Sequence, residues 1–398
     1  MKWKNRTAAA MGNALEFYDI AVFSALSIYI SDLFASQDIK NSVLVVWGIF
    51  ALRFLLRPLG GYVIAQFAER RGRKAALILA SLLTGIATLL MSFVPVDAVG
   101  QYVVLVFLFF QLIQAFSFGG EYPTLISYLL YDSEPGEHSR ISSLIVGSSI
   151  TGVLFALGLV FILENSLTEQ AMRDWGWRVP LFAGVLNILF CFWYRLKLPD
   201  QQKPVISESV NFWNTATKIF MVAIVGAVTF YVQNMASGIL GRALDIENFA
   251  MINSAMLLLS LVLVSFATDK LSTPTISFKV GVLGIIVCAI PLYWVLDTKV
   301  IEYILIAQVL YTIMAAMVLG NLAAVLFHSS KNQLVPLGVG YNVALSIFGG
   351  LTPLIITGLI PHGFAFVGLY IAAAGVPALI ALRKDGSCRG SKTALMYT

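Results

Sequence analysis

Gly12-Asn13-Ala14-Leu15-Glu16-Phe17-Tyr18-Asp19 sets two acids and an amide into a segment, residues 10–34, that is otherwise largely apolar. That segment is long enough to cross a bilayer core, which takes about 20 residues. A carboxylate at such depth is expensive and is kept for an ionic partner or a transport step. Asn13, Glu16 and Asp19 recur at steps of three, so they share one helical face. Lipid contact would leave all three unsatisfied, and the face must look towards other helices.

The rest of the chain has the same character. Its 398 residues are 59% hydrophobic and only 12% charged, with a mean hydropathy of +0.84. That leaves too little polar surface for a soluble protein. Apolar runs of spanning length fall at 10–34, 43–66, 75–94, 101–131, 139–163, 179–198, 214–237, 248–268, 276–296, 301–327, 335–358 and 363–383. The expectation is an all-α integral membrane protein of twelve helices. Pro199 to Asn211 (PDQQKPVISESVN) is polar and carries two prolines. It divides the chain into a six-helix bundle over 1–198, a linker over 199–213 and a second bundle over 214–398. Paired bundles with a path between them are the plan of many secondary transporters; the rival class is a non-transporting membrane receptor or enzyme.

Basic residues are one-sided. Lys2, Lys4, Arg6, Arg70, Arg71, Arg73, Lys74, Arg140, Arg195, Lys197, Lys270 and Lys279 fall on the side of the N-terminus, whereas the other side holds Lys40, Arg173, Arg178, Arg242 and Lys299. This positive-inside bias puts both termini in the cytoplasm of what is expected to be a bacterial inner membrane. The net charge of +5 therefore reflects topology, not nucleic-acid binding. The first segment, with Glu16 and Asp19, reads as a true helix and not as a signal core. Cys191, Cys288 and Cys388 are expected as free thiols, and His138, His328 and His362 fall in loops too dispersed for a metal site. With no G-x-x-x-x-G-K loop, ATP is not the energy source. The expected cofactor list is empty, with a proton as coupling ion, and a monomer is expected.

At about 1.5 Å per residue, Glu16 lies about 12 Å deep, Asp19 and Arg57 about 16 Å and Glu121 about 15 Å. Three acids and an arginine thus share a slab. Gln111, Gln114 and Glu121 form a second polar stripe. Against Arg57 alone the acids leave a protonatable surplus; the alternative is a static buried salt-bridge network. Arg53, four residues from Arg57, faces the same way. Stacked guanidinium groups suit a carboxylate, but Arg53 could equally neutralise Glu16 or Asp19. The second half offers neutral groups (Tyr231, Gln233, Asn234, Asn253, Gln308, Tyr311, Asn321, Tyr341 and Asn342) and no mid-span charge. Of these, Gln233, Asn234, Tyr341 and Asn342 are the expected substrate contacts.

Residues 12–19 resemble the GN-x-x-E-W-Y-D signature of the metabolite:proton symporters, a branch of the major facilitator superfamily with proline/betaine, citrate, 2-oxoglutarate and shikimate carriers. Arg57-Pro58-Leu59-Gly60-Gly61, Gly119-Gly120-Glu121-Tyr122, Trp175-Gly176-Trp177-Arg178-Val179-Pro180, Tyr341-Asn342 and Gly349-Gly350-Leu351-Thr352-Pro353 extend the likeness over about residues 10–383. The resemblance makes Asp19, Glu16, Arg57 and Glu121 the candidates for proton coupling and substrate binding, with the three acids expected to couple the proton. Arg53 departs from the family, which usually carries a small or neutral residue there; with Arg57, Asn13, Tyr18 and Gln114 it is an expected substrate contact. The superfamily's G-x-L-x-D-R-x-G-R-K loop is matched by Ala65, Phe67, Glu69, Arg70, Gly72, Arg73 and Lys74. Glu69, Arg70, Arg73 and Lys74 are thereby expected to latch the inner face. The matching loop, Thr268 to Pro274, has lost most of the pattern, so a one-sided latch is expected. Trp175 and Trp177 read as interfacial anchors.

Helix five lacks the Gly-Pro signature of drug antiporters, and the tail is too short for the coiled coil of osmosensing carriers. The expectation is a proton-coupled importer of a small carboxylate working by alternating access. Uptake of a proline- or betaine-like zwitterion, or export of a metabolite or siderophore, is the alternative.

Overall fold

The computed structural model describes residues 1–201 and 211–383; the middle of the expected linker and the tail with Cys388 lie outside them, as do the side chains of residues 187, 188, 190 and 191. The described chain is helical, with α1 Trp3–Ala25 continued as Ser27–Ala35, α2 Ser42–Arg71, α3 Arg73–Ser92, α4 Val103–Leu130, α5 His138–Ser166, α6 Arg178–Leu196, α7 Phe212–Asn234, α8 Phe249–Leu271, α9 Pro274–Leu296, α10 Ile301–Ser330, α11 Leu334–Ala344 continued as Gly350–Leu359, and α12 Phe364–Arg383. Among the described residues, ten helices are long and apolar enough to cross a membrane, eleven with the bent α1. The 19-residue α6 fills the sixth place.

The bends have local causes. α1 turns by 52° at Leu26. In α11 a π-helical turn, Leu345–Gly349, precedes Pro353; the proline ring cannot accept a normal turn beneath it, and the wider turn removes the clash. Close approaches rest on glycines. A Cβ on Gly60 would strike the Phe116 carbonyl of α4, one on Gly119 the Arg57 carbonyl of α2, and one on Gly152 the Ala14 carbonyl of α1.

The first six helices meet the last six along two seams. At one, α2 and α4 pack on α11; at the other, α5 packs on α8 and α10. Both are tight at the end that carries the basic loops. Glu69 Oε1 accepts from the N–H groups of Leu334 (3.0 Å) and Val335 (3.2 Å) at the start of α11. Arg73 donates to Ser127 Oγ (2.8 Å) and Asn332 Oδ1 (2.9 Å), while Lys74 stands 3.4 Å from Asp200. Arg70 is exposed and takes no part.

Three expectations need correction here. The second-half loop is not silent: Asp269 accepts from the N–H groups of Ser139 (2.9 Å) and Arg140 (3.0 Å) and from Arg140 Nε (3.0 Å), capping α5. Contacts between the two halves at the basic end are therefore two-sided, with an acid present at each seam. His138 and His328 are not dispersed loop residues; they begin α5 and end α10, and their ring nitrogens meet at 2.9 Å across the seam. Of the two tryptophans, Trp175 is exposed but Trp177 is buried in the core.

A buried charge layer as candidate transport site

Apart from Arg6, Arg73 and His138 near the basic end, six buried acidic or basic side chains of the first six helices neighbour one another: Glu16 and Asp19 on α1, Arg53 and Arg57 on α2, Glu121 on α4 and Arg195 on α6. Arg195 is the residue that sequence reasoning missed, having been counted as a loop cation by the position of its backbone. Helical side chains lean towards their own N-terminus, and the N-terminus of α6 is at the opposite membrane face. The Arg195 head is therefore carried inward from the last turn of α6. It pairs with Glu121 and donates to Ser81 Oγ and, at 2.7 Å, to the Leu77 carbonyl. A Cβ on Gly12 would occupy the guanidinium itself, which gives that glycine its structural purpose.

The expected surplus of acid against Arg57 alone is thus overturned. Glu16 faces Glu121, Arg57 and Arg195; Asp19 is held by Thr88 Oγ1 (2.9 Å), which in turn receives Gln114 Nε2 (2.8 Å), and has Arg53 as its charge neighbour. Three acids balance three arginines. Arg53 is the odd member. Its two terminal nitrogens are buried without a hydrogen-bond partner, and it lies over the rings of Phe50 (5.6 Å) and Phe118 (5.5 Å). Arg57 lies over Phe54 (5.6 Å) and shares Phe118 (6.0 Å). Tyr231 of α7 faces both guanidinium groups from the other half.

In the second half, buried amides bond to one another and to a hydroxyl. Gln233 Nε2 donates to Thr312 Oγ1 (3.1 Å) and its Oε1 accepts from Gln308 Nε2 (3.3 Å), while Asn253 donates to the Gln233 carbonyl (2.7 Å). Tyr341 stacks on Tyr122 across the seam, with centroids 4.7 Å apart and planes 10° from parallel. Between Phe17, Tyr122, Phe230, Tyr231 and Tyr341 a void of about 20 Å³ remains, room for about one water. The centre is closed in this state.

The family model described as "Sugar (and other) transporter" matches residues 6–202. The chain is 26% identical over 416 residues to the alpha-ketoglutarate permease of Escherichia coli (strain K12), covering 96% of this chain and 94% of the permease. It is 26% identical over 377 residues to a putative proline/betaine transporter of Staphylococcus haemolyticus (strain JCSC1435), covering 87% and 79%. Its fold superposes on the proton:xylose symporter XylE bound to 6-bromo-6-deoxy-D-glucose with a TM-score of 0.77 at 16% identity, over 96% of this chain and 95% of that one. The chain has the fold of that major facilitator symporter, and its first half matches the transporter family model.

In this structure the remaining expected site residues are engaged elsewhere in the closed state. Asn13 Nδ2 donates to the Ile145 carbonyl, Ser148 and Ser149 of α5 (2.9, 2.9 and 2.7 Å). Tyr18 donates to the Pro180 carbonyl (2.7 Å). Asn234 joins the Phe230 carbonyl (3.0 Å) and Ser254 (3.1 Å). Asn342 Nδ2 crosses the seam to the Gly119 carbonyl (2.6 Å). The first three brace helices, and the fourth joins the two halves at the centre.

Proposed function

We propose that this transporter imports a small carboxylate together with a proton, by alternating access. The observation that carries the reading is Arg53, whose terminal nitrogens are buried and unpartnered beside Arg57. A buried cation with free donors is costly unless a ligand completes it, and a guanidinium fork matches a carboxylate. The charge balance explains coupling. With all six groups ionised the layer is neutral; a proton on Glu16, Asp19 or Glu121 leaves one positive charge over, and a substrate carboxylate restores neutrality. Each ligand thereby favours the other.

The bundles of residues 1–198 and 214–398 rock about the closed centre. Glu69 and Arg73 at one seam, and Asp269 with Arg140 at the other, must part before release at the basic, cytoplasmic end; Lys74, paired with Asp200 of the linker, does not bridge the bundles. Gln233, Tyr341 and Asn342 are the substrate's contacts on the second half once the centre opens. The transporter works as a monomer in a bacterial cytoplasmic membrane, without a cofactor.

A second reading is favoured by the ring of Phe17, Tyr122, Phe230, Tyr231 and Tyr341 around the small central void. Aromatic faces suit a methylated ammonium, so a betaine-like zwitterion would set its carboxylate on Arg53 and Arg57 and its cation in the ring. Proteoliposomes carrying an internal pH dye test both readings against 2-oxoglutarate, citrate, succinate, shikimate, proline and glycine betaine. Acidification with a carboxylate supports symport, acidification only with betaine or proline selects the zwitterion, and silence with all six overturns import.

A further inference from the structure

We propose that the groove between α1, α5 and α8 binds an anionic phospholipid, one acyl chain lying in the groove and the phosphate on Arg140. The groove has a volume of about 520 Å³ and runs from Trp3 to Ala14 along α1, with Leu144 and Gly147 on one wall and Leu258 and Val262 on the other. Eleven residues of helix span about 16 Å, half of a hydrocarbon core of about 30 Å. The groove is therefore one leaflet deep.

Its chemistry fits hydrocarbon and not a polar solute. The hydroxyls along it already donate to helix carbonyls: Thr7 to Trp3 (3.1 Å), Ser143 to Gly320 (3.2 Å), Ser148 to Ile145 (2.7 Å), Thr151 to Gly147 (2.9 Å) and Ser265 to Val262 (2.9 Å). Charge is confined to the basic end. There Arg140 gives Nε to Asp269 (3.0 Å) and Nη2 to the Gly136 carbonyl (3.1 Å), so Nη1 is left for an anion. Trp3 lies under the same guanidinium at 5.7 Å and places an indole at headgroup level. Lys4 and Lys270, both exposed, stand at the same ends of α1 and α8. A basic cluster at this level attracts anionic headgroups of the cytoplasmic leaflet; this rests on the orientation proposed above.

The walls come from both halves, α1 and α5 from the first and α8 from the second. A chain lodged between them is lost when the basic end opens, so its binding favours the closed arrangement. The site thus ties the transport cycle to membrane composition.

The test is native mass spectrometry of the full-length purified protein titrated with phosphatidylglycerol or with phosphatidylcholine of the same acyl chains. Lipid retention is read without any transport assay, so its failure is distinct from failure of the symport reading. The wild type is expected to retain phosphatidylglycerol about five-fold or more over phosphatidylcholine, the worth of one basic contact at the surface. Arg140→Gln should bind both alike. Gly147→Leu, whose side chain would enter the groove past Leu258, should lose both; Val262→Trp, on the half-exposed outer wall, serves if that variant does not fold. Equal retention of the two lipids by the wild type, or undiminished phosphatidylglycerol on a filled groove, overturns the proposal.

Discussion

Glu69 and Asp269 do the same work at opposite seams: each carboxylate caps the first turn of a helix that belongs to the other six. Glu69 holds α11 and Asp269 holds α5. An acid at a helix N-terminus satisfies free N–H groups and meets the positive end of the helix dipole, worth about 1 kcal/mol. Both caps vanish when the basic end opens. On the alternating-access cycle proposed above, they would bias the equilibrium towards the closed state.

Glu69→Ala and Asp269→Ala should therefore each raise the open population about five-fold. The check is maleimide labelling of a cysteine placed at Ser142, which is fully buried and accepts from the Ala323 N–H across the seam, in a background lacking Cys191, Cys288 and Cys388. The seams are separate, so the two effects should multiply. A double variant no faster than either single would mean one gate and not two.

Arg195 and Glu121 form a buried pair, and breaking such a pair from one side costs about 3–5 kcal/mol. Arg195→Gln should lower the melting temperature and yield sharply, and Gly12→Ala should do the same by displacing the guanidinium. Adding Glu121→Gln to Arg195→Gln removes the stranded charge and should recover most of the stability. Thermal unfolding in detergent reads this directly. Failure of the second change to rescue would show that Arg195 matters through Leu77 and Ser81 instead.

The grouping was legible because residue counting sets Glu16, Asp19, Arg57 and Glu121 at similar distances from one end of their helices, and all four are buried, with Glu16 facing Glu121 and Arg57. Arg195 was not, since counting places a Cα and the side chain leans several ångströms further in. Asp269 was hidden by the loss of its surrounding motif, although a single acid suffices to cap α5. The meeting of His138 with His328 joins residues 190 apart in the chain, and no periodicity within one helix encodes such a contact. Trp177 illustrates the same limit, because an aromatic at a helix start can face lipid or core with identical spacing.

Arg53 separates substrate binding from charge neutralisation. Its terminal nitrogens are buried and unpartnered, so replacing it with methionine, of similar length, removes an unsatisfied group. If it awaits a substrate, Arg53→Met should leave or raise thermal stability and weaken substrate binding by at least about 10-fold, the loss of a charge-assisted contact. If it serves instead to neutralise Asp19, the same change strands that carboxylate and the melting temperature falls. Unfolding curves with and without substrate decide between the two.

Asp19 keeps its hydrogen bond from Thr88 when changed to asparagine, because the amide oxygen can still accept from the hydroxyl at 2.9 Å. Only the charge and the proton site are removed. If Asp19 carries the coupling proton, uptake by the wild type should fall as external pH rises, since the loaded form becomes rarer. Asp19→Asn should then bind substrate at every pH and exchange it across the membrane, but fail to accumulate it on a pH gradient. Counterflow against driven uptake in the same proteoliposomes makes the comparison. Intact accumulation by Asp19→Asn would move the coupling proton to Glu16 or Glu121, which face each other between Arg57 and Arg195.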